Sequence, residues 1–461
     1  MFEDTIAAIS TPPGEGGIGI VRISGPQAEQ IGRSIFSFAK QPENLLSHHL
    51  YYGKVVNPLK EQVIDEALIS FMRAPHTFTR EDVVEVNCHG GIMPLSKTLA
   101  LILAQGARLA EPGEFTQRAF LNGRIDLAQA EAVIQIIRAK TEAAMLVSVR
   151  QLTGHLSQEV KQIRRRLLAM LAHVEASIDF PEHQDVEDLA REEIANSTQA
   201  AFAQLEALLA TAEQGRILRE GIKTAIVGLP NVGKSSLLNA LLREQRAIVT
   251  EIPGTTRDVL EESINLGGIA LTIVDTAGIR ETRDEIEKIG VQLSRSAIDK
   301  ADLVLLVLEL TAGLNEENKL ILQIIKDKPC IIIANKTDLA AEPQAAAAQL
   351  KAQLTPLPVV PMSVLKQQGL QDLEDTIIQY VFKGAVQTPD SVLVTSTRHK
   401  NALLKAKNAL YDLQNALEAG YAVDLLAIDL HAALDALGEI TGESVGPELV
   451  DEIFSSFCIG K

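Results

Sequence analysis

The chemistry of this chain is concentrated in Gly228-Leu-Pro-Asn231-Val232-Gly233-Lys234-Ser235-Ser236. Its G-x-x-x-x-G-K-[ST] spacing follows directly on the β-rich run 224–227 and leads directly into the helix-like residues 236–242. Glycines let backbone N–H groups curl around phosphate oxygens, and a helix N-terminus adds a favourable dipole. Lys234 neutralises charge, and the Ser235 hydroxyl can ligate Mg²⁺. A nucleoside triphosphate is the expected ligand.

Three further stations follow in the order a guanine-nucleotide switch needs. Asp275-Thr276-Ala277-Gly278 ends the strand-like run 271–274; its carboxylate can hold Mg²⁺ from beyond the direct ligands, and the Gly278 N–H can sense a γ-phosphate. Asn335-Lys336-Thr337-Asp338 ends the run 330–334, where Asp338 can accept both N1–H and N2–H of guanine. Adenine offers neither donor, and a site built on a buried polar pairing rejects the wrong base by about 10⁴-fold or more, which decides GTP over ATP. Gly254-Thr255-Thr256-Arg257-Asp258 lies between the loop and Asp275, where a threonine can complete Mg²⁺ coordination. Ser363-Val364-Leu365, after the run 358–362, is placed to support the base through backbone contacts. Gly278 is followed by Ile279, an apolar side chain that cannot orient an attacking water as a glutamine there would, so Glu281, Asp284, Glu285 and Glu287 are candidates for that task. Arg257 and Arg280 stand near enough in sequence to serve the transition-state charge, or to be solvated.

The elements that must position these residues alternate from Gly221 onward. Strands are expected near 223–227, 259–264, 271–274, 303–308, 330–334 and 358–362, with helices between most of them: a doubly wound, mostly parallel P-loop α/β domain over residues 220–382. Residues 1–118 mix β-like runs (18–23, 67–71, 83–87) with glycine and proline turns and a helix at 94–105, an α+β domain. Residues 119–219 and 383–461 have helical apolar spacing, the latter at 399–417, 422–440 and 447–457. They are expected to pack as one mostly α-helical domain with the α/β unit inserted between them. Phe180-Pro181 should break the first helical block, with the acid-rich residues 182–188 as a loop.

Composition narrows the partners. The 461 residues suffice for about three domains. At 46% hydrophobic content the chain is not globally disordered, and no apolar run approaches the roughly 18 residues of a membrane helix. Sixty acidic against 43 basic residues leave a net charge of −17, which argues against a general polyanion surface and against DNA as partner. Local contact by the Lys161-Gln-Ile-Arg164-Arg165-Arg166 cluster is set against a plain solvated helix face. Three scattered cysteines (Cys88, Cys330, Cys458) make no disulfide framework and fit a reducing, cytoplasmic setting. Cys88-His89 lacks the second ligand pair of a zinc site.

Gly-x-Pro-Asn-x-Gly-Lys-Ser-Ser-Leu-Leu-Asn, Gly-Thr-Thr-Arg-Asp and Asp-Thr-Ala-Gly-Ile-Arg resemble the TrmE-Era-Der group of GTPases. Thr11-Pro-Pro-Gly, Gly19-Ile-Val-Arg22-Ile-Ser-Gly, residues 112–122 (Pro-Gly-Glu-Phe-Thr-Gln-Arg-Ala-Phe-Leu-Asn), Asp126-Leu-Ala-Gln-Ala-Glu and the terminal Phe457-Cys458-Ile-Gly-Lys461 narrow this to the MnmE (TrmE) family. The resemblance implies a cytoplasmic homodimer that works with the flavoprotein MnmG. Together they place a carboxymethylaminomethyl or aminomethyl group at C5 of the wobble uridine of certain tRNAs. It further implies Mg²⁺ on Ser235 and Thr256, and K⁺ on Asn231, Thr250, Ile252 and Thr255, a cation able to do the work of an arginine finger. The water-orienting acid of the family falls on Glu287, with Lys234 and Asp275 beside it in catalysis. A 5-formyl-tetrahydrofolate or related one-carbon folate is implied on Arg22, Glu85, Lys461 and Arg124, the last standing where lysine is common and so keeping charge with altered geometry. Cys458 has two readings, a nucleophile or a buried structural thiol. The competing function is a GTP-dependent assembly switch in ribosome or RNA maturation, for which an appended KH-type Gly-x-x-Gly loop is not found after residue 382.

Overall fold

In a computed structural model, the β-branched runs near the N-terminus assemble into a seven-stranded sheet. The structure describes residues 3–179, 184–244, 262–274, 297–382 and 392–461. Strands β1 (Ile6–Ile9), β2 (Gly16–Ser24), β3 (Phe36–Phe38), β4 (His49–Asn57), β5 (Gln62–Met72), β6 (Val83–Gly90) and β7 (Arg108–Leu109) lie in the order β3-β4-β5-β6-β2-β1-β7. All neighbours are antiparallel except β1 and β7. Period-2 alternation puts Val21, Ile23, Ile69, Phe71, Val84 and Val86 into one core with Ile31 of α1 (Ala28–Ser34) and Leu95 and Ile102 of α2 (Ile92–Ala104). The other face is left to polar work. In register across it run Leu50, Ser70, Glu85 and Arg22.

The motif at residues 112–122 is an ionic knot. Helix α3 (Glu114–Leu121) carries Arg118, which is 0% exposed and donates to Asp4 Oδ1 at 2.8 Å, Glu114 Oε1 at 2.9 Å and Glu81 Oε1 at 3.2 Å. A fully buried guanidinium is tolerable only with several acceptors of this kind. Asp126 caps α4 (Leu127–Arg138) reciprocally: its Oδ1 accepts the Gln129 N–H while Gln129 Oε1 accepts the Asp126 N–H, both at 3.0 Å.

Helices α5 (Glu142–Leu152), α6 (His155–Asp179), α7 (Gln184–Ala210) and α8 (Ala212–Glu220) follow. The acid-rich stretch expected as a loop to residue 188 is helical from Gln184, because the same 3.6-residue spacing that marks the later part of α7 already holds there. Residues 180–183 lie outside the described set.

The α/β part comprises β8 (Ile222–Val227), α9 (Lys234–Glu244), β9 (Glu262–Leu266), β10 (Ile269–Ile273), β11 (Leu303–Glu309), α10 (Glu316–Ile324), β12 (Cys330–Asn335), α11 (Pro343–Leu354), β13 (Val359–Pro361) and α12 (Leu370–Phe382). The sheet order is β13-β12-β11-β8-β10-β9, parallel except for β9. Both faces are covered: Leu305, Val307, Ile331 and Ile333 enter one core, Leu306, Leu308, Ile332 and Ala334 the other. This is the doubly wound arrangement, and it explains why these strands are apolar at every position rather than at every second one.

The chain ends in α13 (Thr397–Glu418), α14 (Val423–Thr441) and α15 (Pro447–Ser455). Helix α14 packs on α6, which buries Leu156, Val160, Ile163, Leu167 and Val174 at helical spacing. The chain divides into two compact units, residues 1–134, 151–205 and 402–461 in one and residues 135–150 and 206–401 in the other. An N-terminal α+β domain, a helical domain and a P-loop α/β domain thus account for the fold, the last entered and left through the helical part.

Candidate functional site

Strand β8 stops at Val227 and α9 starts at Lys234, so residues 228–233 join a parallel strand's carboxyl end to a helix N-terminus beside the point where the sheet order reverses. That is where open α/β sheets bind ligands. The loop turns through left-handed residues, Asn231 at φ 60° and Gly233 at φ 106°. Asparagine visits that region with little penalty. Position 233 needs glycine twice over: its φ disfavours a side chain, and a Cβ there would run into Asn335 Nδ2. Lys234 Nζ donates to the carbonyls of Gly228 and Leu229, at 2.8 Å each, and burial holds its pKa below the usual lysine range. A desolvated ammonium facing carbonyl dipoles fits an anionic phosphate, which would compensate the charge in full.

Asn335 ties this loop to the base-reading loops. It is 3% exposed, gives Nδ2–H to the Val232 carbonyl at 2.8 Å, and accepts the Val364 N–H on Oδ1 at 3.1 Å. Lys336, at φ 64°, is drawn aside to Glu309 Oε2 at 2.6 Å, and this bond holds the Glu309 carboxyl below its ordinary range. Asp338 sits in a short 3₁₀ turn (Thr337–Leu339) and accepts the Ser363 hydroxyl at 2.6 Å, which lowers its pKa and keeps it an ionised acceptor. Ser363 Oγ also accepts the Lys366 N–H at 3.3 Å. Residue 364 contributes a backbone N–H, so valine there leaves the clamp intact, while Leu365 is 86% exposed at the loop tip. The structure therefore brings Val232, Gly233, Lys234, Asn335, Asp338 and Ser363 together, with Ser235 and Ser236 in the first turn of α9. Thr250, Ile252, Thr255, Thr256, Asp275, Thr276, Ala277, Gly278 and Glu287 lie outside the described residues.

A second constellation forms on the polar face of the N-terminal sheet. Arg22 Nε donates to Glu85 Oε1 at 2.8 Å, Arg22 Nη1 to the Gly460 carbonyl at 3.2 Å, and the guanidinium stands 5.7 Å from the Phe115 ring centre. The tail is held by a Pro112–Ile459 bridge, by the Gly113 N–H on Cys458 O, and by Ser10 Oγ on Gly460 O at 3.1 Å. Arg22, Glu85 and the residue preceding Lys461 are thus neighbours. Gly460, absent from the sequence-based candidates, turns the tail at φ 91°, a conformation that a glycine in so short a terminal motif could have signalled. Arg124 Nη1 donates to the Phe78 carbonyl at 3.0 Å.

Other candidates resolve plainly. Cys458 is exposed, which overturns its reading as a buried structural thiol: between buried Phe457 and Gly460, its backbone rather than its sulfur makes the contact. Cys88 is buried against Thr98, and burial pushes its thiol up to about 11; His89 Nδ1 lies 2.7 Å from Asp65 Oδ1. In the basic cluster on α6, Lys161 pairs with Asp126, Arg164 with Glu443, and Arg166 with Gln204.

A family model described as "MnmE helical domain" matches residues 127–458, and another, "GTP-binding protein TrmE N-terminus", matches residues 5–124. The tRNA modification GTPase MnmE of Bacillus subtilis is 49% identical over 460 residues, covering 99% of this chain and 100% of its own. That of Thermoanaerobacter pseudethanolicus is 50% identical over 463 residues, covering 100% of both. A solved structure of Era from Aquifex aeolicus, bound to GDP and AlF4-, is 30% identical and covers 41% of this chain and 66% of its own, at a TM-score of 0.29.

Proposed function

Because the chain belongs to the MnmE family of tRNA modification GTPases, we propose that it hydrolyses GTP to drive, with the flavoprotein MnmG, the addition of a carboxymethylaminomethyl or aminomethyl group at C5 of the wobble uridine of certain tRNAs. It is a GTP hydrolase of tRNA modification, and GTP with Mg²⁺ is its working ligand. The observation that carries the nucleotide half is Asn335, whose two hydrogen bonds make the phosphate loop and the base-reading loop one body. In that body Lys234 would hold phosphate charge, Ser235 would hold Mg²⁺, with Thr256 as its second proposed ligand, and Asp338, aimed by Ser363, would accept the guanine N–H pair. When bound, Mg²⁺ supplies neutralisation of charge developing on the phosphates.

The finer assignments belong to the same proposal. Asn231, Thr250, Ile252 and Thr255 would hold K⁺, whose charge would do the work of an arginine finger, and Glu287 would orient the water that Ile279 cannot. Asn231 already holds the left-handed conformation that turns the loop. Arg22, Glu85, Lys461 and Arg124 hold a one-carbon folate; the Arg22–Glu85–Gly460 cluster supports this, since its carboxylate and carbonyl can take up donors of a pterin-like ring. The chain works as a cytoplasmic homodimer and divides into segments 1–118, 119–219, 220–382 and 383–461. No helix among the described residues is long and apolar enough to cross a membrane. GTP turnover measured across alkali cations tests the mechanism: potassium should stimulate well above sodium, and equal rates would remove the potassium site.

A further inference from the structure

Strand β9 is five residues long and stands at the edge of the α/β sheet, beside β10 alone among the described strands. The ends of such short elements open most easily. One end of the β9–β10 hairpin is closed by the turn Gly267-Gly268, both at positive φ (55° and 89°), as a tight two-residue connection favours. The other end is closed by side chains. Ser263 and Thr272 face each other in register, 5% and 4% exposed, with their hydroxyl oxygens 3.2 Å apart. Lys140 Nζ donates to Ser263 Oγ at 2.9 Å. With one lone pair of Ser263 Oγ taken by the ammonium, its own O–H can run to Thr272 Oγ1, so the three groups form one polarised chain across both strands.

Lys140 is itself fixed. It directly precedes Thr141, whose Oγ1 accepts the Ala144 N–H at 3.1 Å at the start of α5. A Cβ built on Gly268 would stand 3.6 Å from that of Ala143, so the same helix also rests against the hairpin's turn. Residues 135–150 belong to one compact unit with the α/β elements, and this support is part of that unit. Lys161, Lys319, Lys336 and Lys405 pair with carboxylates, whereas Lys140 gives its hydrogen bond to a buried hydroxyl. Sequence position gives the bonded pair its meaning. Thr272 stands three positions before Asp275, and Ser263 seven positions after Thr256. The pair thus closes the strand ends nearest, along the chain, to the residues assigned to Mg²⁺ and the γ-phosphate. Lys234, Asn335, Asp338 and Ser363, which suffice to hold a diphosphate and its base, belong to other elements.

We propose that Lys140 is a positioning residue for GTP hydrolysis: through Ser263 and Thr272 it holds the ends of β9 and β10 together, and so sets where Thr256 and Asp275 stand. This rests on the GTPase reading of the site. A displacement of about 1 Å at a reacting group can cost about 10²-fold in rate, so loss of the bond should reach the chemical step and leave GDP binding alone.

Single-turnover GTP hydrolysis and titration of a fluorescent GDP test this on the full chain. The variants are Lys140→Met, which keeps the stem and removes the donor, Lys140→Arg, Ser263→Ala and the Lys140→Met/Ser263→Ala double, with far-UV circular dichroism to verify folding. Lys140→Met and Ser263→Ala should each slow hydrolysis at least fivefold, the double variant no further than the slower single one, with GDP affinity within twofold of wild type. Lys140→Arg should recover part of the lost rate. A loss of less than fivefold in both single variants overturns the proposal, and so do losses that multiply in the double variant. A GDP affinity that falls as far as the rate also overturns it, since the bond would then only hold the unit together. A wild-type chain that hydrolyses no GTP defeats the GTPase reading, and the proposal with it.

Discussion

Replacing Asn335 with alanine should uncouple the phosphate loop from the base-reading loops. The substitution removes both bonds of a side chain that is 3% exposed, and leaves the Val232 carbonyl and the Val364 amide buried without their partner. Each such group costs about 1–3 kcal/mol, so the pair amounts to about 2–6 kcal/mol if both stay dry. A water entering the vacated space would move the loss toward the lower end. Against a typical stability of about 5–15 kcal/mol, that is enough to shift unfolding visibly. The chain has no tryptophan, so urea unfolding is best followed by far-UV circular dichroism, alongside titration of a fluorescent guanine nucleotide. The unfolding phase of the α/β unit should move to lower urea, and nucleotide affinity should fall at least tenfold. The same geometry predicts non-additivity with Gly233→Ala. Alone, that change meets both a φ of 106° and the Asn335 amide; with Asn335→Ala in place only the φ strain remains, so the second substitution should cost less in the double variant. A midpoint shift worth less than about 0.5 kcal/mol, within the range of ordinary surface substitutions, together with strictly additive effects, would refute the clamp.

Two further outcomes are expected. Hydrogen bonding from Arg73, and then from Arg33 against the opposing effect of burial, lowers Glu29 from 4.5 to about 2. A depressed carboxyl contributes stability above its unfolded pKa, so the advantage of wild type over Glu29→Gln should be constant above 4.5 and shrink as pH falls toward about 2. Its size should not exceed about 1 kcal/mol because both arginines are half exposed, and a difference that grows on acidification would contradict the assignment. In Gly460→Ala a Cβ would stand 2.5 Å from the Ile9 carbonyl at a φ of 91°, which should displace the tail from Arg22. Affinity for 5-formyl-tetrahydrofolate should fall at least tenfold, and unchanged affinity would detach the tail from the folate site.

The α/β domain was legible because its signals are local. A continuous apolar run, then glycines, then a helical period mark β8, the loop and α9 within a score of residues, and observed boundaries differ from the expected ones by a few residues at most. Asp338 could be named from its tetrapeptide and Ser363 from its loop, but Ser363 was expected to act through backbone contacts, and its hydroxyl bond to Asp338, 25 positions away, was not legible. Arg118 shows the limit more sharply. The charges at positions 4, 81, 114 and 118 carry no periodic mark of burial; only the pairing of β1, β2 and β6 brings them into one knot. The grouping of residues 135–150 with the α/β unit was likewise invisible, since it rests on contacts such as Lys140 Nζ to Ser263 Oγ at 2.9 Å, which span 123 positions.

The central claim is that GTP hydrolysis at Lys234 serves wobble-uridine modification. It is tested most directly by mass spectrometry of tRNA nucleosides from a strain whose own copy of this gene is deleted and which carries either the wild-type chain or Lys234→Ala. The account predicts carboxymethylaminomethyl- or aminomethyl-uridine with the wild-type chain and unmodified wobble uridine with Lys234→Ala. A full complement of the modified nucleoside with Lys234→Ala would contradict it.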